Sequence, residues 1–234
     1  MKKILTLLLA VCPLLLQAET QADKDLARVK EIISQADDIL LENQNTPEAA
    51  VPKELFAEAE AVLVVRLESA IIGVGGYGGT GIAMINNIDN WSPPAVYSIS
   101  GGQLGLEIGG TETDIIALYM NKKALRSLYD DSIRWGVGLS VQAGPAGGRL
   151  AATEWRNADI LVYRKKKGLA LGVSFTGGVL EFNQSLNAAL YQEPNIDQSD
   201  IFGLRVPMPA EGKEVTDYLR KLSFEGTDLS KPTE

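Results

Sequence analysis

Three stretches of this 234-residue chain alternate a large apolar residue with glycine or with another small or charged residue. They are Leu104-Gly105-Leu106-Glu107-Ile108-Gly109, Trp135-Gly136-Val137-Gly138-Leu139-Ser140-Val141 and Leu169-Ala170-Leu171-Gly172-Val173-Ser174-Phe175. A period of two is the strand period, so each stretch puts its bulk on one face and leaves the other nearly bare. Glycine weakens a strand and is kept where the sheet bends sharply or another backbone comes close. The pattern predicts an α+β fold built on a strongly bent, mostly antiparallel β-sheet or partial barrel. Helices or a loop are expected against the small-residue face.

The flanking elements follow from the change of period. Leu26, Val29, Ile33, Ala36 and Leu40, widened by Ile32 and Ile39, predict an N-terminal amphipathic helix over 23–42. Pro52 opens a short helix to about Glu60, since proline suits a first helical turn. Strands are expected at 61–66, 70–74 and 81–85, with Gly75-Gly76-Tyr77-Gly78-Gly79 as a sharp bend between the last two. Trp91-Ser92-Pro93-Pro94 reads as extended, because proline disfavours helix in the residue before it. Further strands are expected at 95–100, 102–109, 113–120, 133–143, 158–164, 168–175 and 178–182, with short helices at 121–129 and 183–191. Residues 192–210 read as a surface-hugging extension, and Val215, Tyr218, Leu219 and Leu222 mark a last helix. The expected division is a leader at 1–18, one domain at 19–191, and a C-terminal extension at 192–234.

Composition removes whole classes of chemistry. The chain has no histidine, which excludes Ser-His-Asp and Cys-His nucleophile systems and every His-ligated zinc or iron site. Its formal net charge of −8 opposes nucleic-acid binding, which needs a basic face to neutralise phosphates. Lys2 and Lys3 before an apolar run over 4–16 read as an export signal ending near Ala18, too short to span a bilayer comfortably. Its removal takes two bases and no acid, leaving a net charge of −10. Leu9-Ala10-Val11-Cys12 resembles a lipoprotein box except for Val11, so simple export to the periplasm and lipidation at Cys12 are both open.

Most local motifs have a plain structural reading. Gly73-Val74-Gly75-Gly76-Tyr77-Gly78 has dinucleotide-loop spacing, but a strand rather than a helix follows it, so no helix N-terminus receives a pyrophosphate. Gly144-Pro145-Ala146-Gly147-Gly148 lacks the Lys-Ser/Thr of a phosphate loop and reads as a tight turn. The pairs Asp37-Asp38 and Asp130-Asp131 read as solvated acids, and Asn87, Asp89 and Asn90 lack the calcium-loop spacing. Arg164, Lys165, Lys166 and Lys167 form the one dense basic run, expected at a protruding hairpin tip. There it either blunts a sheet edge or contacts anionic headgroups or an acidic partner. Lys24, Arg28 and Lys30 stand among six acids over 23–42, which favours docking of that helix on its own core over a membrane surface.

Several stretches carry a family resemblance. They are Ala59-Glu60-Ala61-Val62-Leu63-Val64-Val65, the glycines from Gly73 to Gly81, Trp91-Ser92-Pro93-Pro94-Ala95, and Gly101-Gly102-Gln103-Leu104-Gly105-Leu106-Glu107-Ile108-Gly109. Ala143-Gly144-Pro145 and the stretch from Gly168 to Gly178 complete them. Over about 50–191 the chain resembles the SYLF domain, or Ysc84 actin-binding, family. That resemblance implies a binding domain and not an enzyme, with no cofactor. Eukaryotic members bind phosphoinositides and other anionic lipids, and some bind actin; bacterial members are mostly exported proteins or lipoproteins. For this chain it implies an exported member contacting anionic phospholipids such as phosphatidylglycerol or cardiolipin. The expected contacts are Arg164, Lys165, Lys166 and Lys167, with Lys24, Arg28 and Lys30 as a second patch. The alternative is a periplasmic protein-interaction or envelope-structural module.

Overall fold

A computed structural model describes residues 20–87, 90–134, 138–144, 157–167 and 178–227, with the backbone alone at 69–75, 102–111 and 166–167. The expected leader, Cys12, the 145–148 turn, the strand at 168–175 and residues 228–234 lie outside the described residues.

Helix α1 (Gln21–Gln44) begins with a capping box, in which Thr20 and Asp23 satisfy each other's backbone N–H. Val29, Ile32, Ile33, Ala36, Ile39 and Leu40 form its buried stripe, as the periodicity predicts. Helix α2 (Lys53–Glu58) follows, with Pro52 at its cap. The sheet is then built from two long strands, β1 (Ala61–Asn87) and β3 (Ala95–Tyr119), joined through the short β2 (Asn90–Trp91). They pair antiparallel from Ala61↔Tyr119 to Ala83↔Ala95, with one irregularity between Ile72 and Val74.

The glycine run is therefore not a bend between strands. Gly75 to Gly79 are paired in register with Gln103 to Ile99, so β1 and β3 are each one long strand where three were expected. Instead, β1 curls until its ends meet: the Asn86 N–H donates to the Glu60 carbonyl at 2.9 Å. At the crossing, a Cβ on Gly81 would overlap the Val64 carbonyl oxygen and stand 2.6 Å from Val65 Cα. Only a residue without Cβ lets the two limbs approach so closely. The bare face thus receives the strand's own other limb, and Tyr77 over Gly101, rather than the helix or loop expected there.

Strand β6 (Ile160–Lys167) pairs antiparallel with β3, and β5 (Val141–Ala143) pairs parallel with β6. Strand β7 (Val179–Phe182) bridges the start of β3 to β4 (Ser132–Arg134). Successive residues of this half-barrel enter two separate cores. Val62, Val64, Ile82, Met84, Ile116 and Leu118 face α1, α2, α4 (Gln184–Tyr191) and α6 (Lys213–Gly226). Leu63, Val65, Ala83, Tyr97, Ile115 and Ala117 face the inside of the curl.

The inside is closed by α3 (Lys122–Ser127) and α5 (Gln198–Phe202). Ile196, Ile201 and Phe202 are buried there, so 196–202 plugs the core, while 192–195 and 203–205 run over the surface as expected. Hydrophobic side chains, not the prolines, decide the path of that segment.

Candidate functional site

The basic run lies in the body of β6, not at a hairpin tip. Arg164, Lys165, Lys166 and Lys167 pair with Ile115, Asp114, Thr113 and Glu112 of β3. Strand alternation sends Arg164 and Lys165 to opposite faces, so these two do not share one. Arg164 is exposed and has no ion pair among the described residues. Lys165 reaches back to α1, where its Nζ lies 3.0 Å from Glu42 Oε2. The side chains of Lys166 and Lys167 lie outside those described.

Helix α1 carries the second predicted group. Lys24, Arg28 and Lys30 are all exposed, and Lys30 pairs with Glu211 at 3.1 Å. Lys24 and Arg28 have no ion pair among the described residues. Beside Arg28, α1 overhangs β1 to form an open groove of about 650 Å³, bordered also by Gln35, Arg66, Glu68, Thr80 and Ser98 over Gly76, Gly78 and Gly79. At the other end of the helix, Arg164 and Lys165 border a small cavity shared with Ile39, Asn43, Thr46 and Ala49. The structure thus brings Lys165 of the basic run and the cations of the helix itself to opposite ends of α1.

A charge ladder anchors that arrangement. Arg66 and Asp114 are register partners, and the guanidinium holds the carboxylate with Nε–Oδ1 2.6 Å and Nη2–Oδ2 3.3 Å. Asp114 is 3% exposed and Arg66 21%, so this pair is nearly buried. Hydrogen bonding to Asp114 pushes the Arg66 guanidinium further above its already high range. A buried pair like this fixes register more than it adds net stability, yet losing one partner strands a charge. Its sequence signal was partial: Arg66 closes the apolar run 61–65 and Asp114 precedes the apolar run 115–118.

A second knot escaped the sequence reading altogether. Asp159 accepts from Asn121 Nδ2 (2.9 Å), Lys123 Nζ (2.8 Å) and the Ser140 N–H (2.7 Å). The Lys123 bond first, then those from Ser140 and Asn121, lower its carboxyl to about 2. These partners make Asp159 a structural clamp between α3, β5 and β6. Among the described residues no cluster of three metal-ligating side chains occurs, and no helix is long and apolar enough to cross a membrane.

Comparison with known proteins agrees with this binding architecture. The family model described as Ysc84, Las17-binding protein actin regulator, matches residues 100–222, past the 191 boundary of the sequence-level resemblance and through most of α6. An SH3 domain-containing YSC84-like protein 1 of Xenopus laevis is 26% identical over 183 residues, covering 76% of this chain and 55% of the relative. The Homo sapiens protein of that name is 27% identical, covering 76% and 53%. LAS seventeen-binding protein 3 of Saccharomyces cerevisiae is 25% identical, covering 68% and 36%. The chain spans about half the length of the first two relatives and about a third of the yeast one. No solved structure matches it. The matched stretch covers more than half of the chain and includes β3, β6, β7, α4 and most of α6, and the chain belongs to the Ysc84 (SYLF) family.

Proposed function

We propose that this chain is an exported, non-enzymatic domain that binds anionic phospholipid headgroups at the surface of the envelope. The observation that supports it is the placement of cations from both groups along α1. Lys24 and Arg28 lie at one end and Lys165 at the other, about 20 Å apart at 1.5 Å per helical residue, with Arg164 exposed on the opposite face of β6. Lys24, Arg28 and Arg164 have no ion pair among the described residues and are the first contacts. Lys30, exposed, and Lys165, partly exposed, are held by a half-buried Glu211 and an exposed Glu42, and surface pairs of this kind are worth about 0–1 kcal/mol. A phosphate can therefore compete for them. Lys166 and Lys167 complete the set.

The test is co-sedimentation of residues 19–234 with phosphatidylglycerol vesicles and with neutral vesicles, at low and physiological salt. The expected result is anionic-selective pelleting that weakens with salt. Replacing Lys24, Arg28 and Arg164 together by Gln should abolish it while leaving the melting temperature unchanged. Undiminished pelleting of that variant removes the site.

A second reading rests on the groove beside Arg28. Its borders offer both signs of charge, and its glycine floor gives backbone access, which suits an extended segment of a protein partner. The family description and the yeast relative's name both specify a protein ligand, Las17, which supports a protein partner here. A photo-crosslinker at Gln35 should give one discrete adduct, and none when moved to Lys221; equal labelling at both positions removes this reading.

A further inference from the structure

We infer that the seam between α1 and α6 is an acid-tightened latch, closed by protonation of Asp37. Asp37 lies on the flank of the buried stripe of α1, and its Oδ1 is sealed from solvent with no hydrogen-bond donor among the described residues. What faces it is a second acid, Glu214 in the first turn of α6, with Asp38 beside it on α1. Tyr218, one turn along α6, is close enough to feel the Asp37 charge. Lys53 of α2 lies beyond Tyr218, but its ammonium is bound to Glu225 at 2.5 Å. At neutral pH the seam therefore holds a half-buried carboxylate whose inner oxygen has no donor among the described residues and whose nearest charges are acids.

The direction of the effect follows. Burial first, then Glu214 and Asp38, push the Asp37 carboxyl above its ordinary value. A carboxyl raised in the folded state is bound to its proton more tightly there than in the unfolded chain, so stability is gained as pH falls through that raised value. The neighbouring Lys30–Glu211 pair moves the other way. Its own backbone N–H, then Lys30, hold the Glu211 carboxyl below its ordinary value, so that pair stays intact while Asp37 takes its proton. Only below the ordinary carboxylate range does the seam weaken again. The latch is tightest in mild acid and loosest at neutral pH.

Hydrogen exchange of the α1 amides, corrected for intrinsic rates, tests this at about pH 5 and about pH 7.5. In the unaltered chain, protection of α1 should be several-fold higher at the lower pH. Asp37→Asn should keep that higher protection at both values, and Glu214→Gln should reduce the pH response in part. Asp38→Asn, altering an exposed acid, should change it least. An Asp37→Asn variant that retains the full pH response overturns the latch, as does one less protected than the unaltered chain at both values. The measurement contains no lipid, so its outcome is separate from that of the vesicle assay.

Discussion

Asn187 is a helical residue that acts as a piece of sheet, and its replacement tests the packing of the whole α4 face. Strand β7 pairs with β3 from Val179↔Ser100 to Phe182↔Tyr97 and then turns at Asn183 into α4. The next β3 residue, Val96, is fully buried and has lost its β7 neighbour. The Asn187 side chain takes that neighbour's place: its Oδ1 accepts from the Val96 N–H and its Nδ2 donates to the Val96 carbonyl, both at 2.8 Å. Nδ2 also donates to the Asn183 carbonyl at 2.9 Å. In Asn187→Leu the Val96 N–H is left buried without an acceptor, costing about 1–3 kcal/mol. The Val96 carbonyl keeps the Asn183 N–H at 3.0 Å, so its loss is smaller, about 0.5–1.5 kcal/mol.

The expected total is about 2–4 kcal/mol, or roughly 5–15 °C in melting temperature for a chain of this size. Asn187→Asp gives the sharper test. It keeps an acceptor for Val96 but sets a carboxylate against two carbonyls, so its own ionisation is disfavoured in the fold. Its deficit should be largest near neutral pH and shrink as pH falls toward about 4, the unfolded carboxyl value. Thermal melts followed by circular dichroism at several pH values read both effects. A leucine variant within about 1 kcal/mol of the unaltered chain refutes the reasoning, as does an aspartate variant whose deficit ignores pH.

The other predictions are local. Gly81→Ala drives a methyl into the backbone at Val64 and Val65, which has no rotamer to yield, and should cost about 3 kcal/mol or prevent folding; near-unchanged melting would mean the limbs do not cross there. Asp159→Asn should cost about 1–2 kcal/mol at pH 7, discounted because Lys123 is largely exposed. Since Asp159 titrates at about 2 against an ordinary 3.8, the deficit should persist above about pH 4 and vanish as pH falls toward 2. Ser223→Ala removes the oxygen that accepts from Trp91 Nε1 at 3.1 Å and donates to the Phe56 carbonyl at 3.2 Å. It should lower stability by about 1 kcal/mol in denaturant titration with no change of slope.

Several features were legible because their physics is local. The stripe from Val29 to Leu40 specifies α1, since its signal comes from residues within a few turns of each other. Pro52, Asn121 and Asn183 mark helix starts for the same reason. Apolar, β-branched-rich runs announced strands at 61–66 and 113–120, and both faces of those strands are buried, each in a different core. The absence of histidine settled which catalytic systems this chain lacks before any fold was known.

Tertiary structure decided what those strands do. Glycine tolerates both a turn and a tightly coiled strand, so Gly75 to Gly79 carry the same local signal in either case. Long-range pairing with β3 chose the coiled strand and brought Gly81 onto Val64 and Val65. A run of four cations looks like one patch in a sequence, yet strand geometry splits Arg164 from Lys165 and Glu42 claims the latter across 123 residues. Asn187 with Val96, 91 residues apart, and Asp37 with Glu214 have no sequence signature at all. Period two tells which residues share a face, but not which distant backbone or charge that face will meet. That choice belongs to the burial of both cores at once.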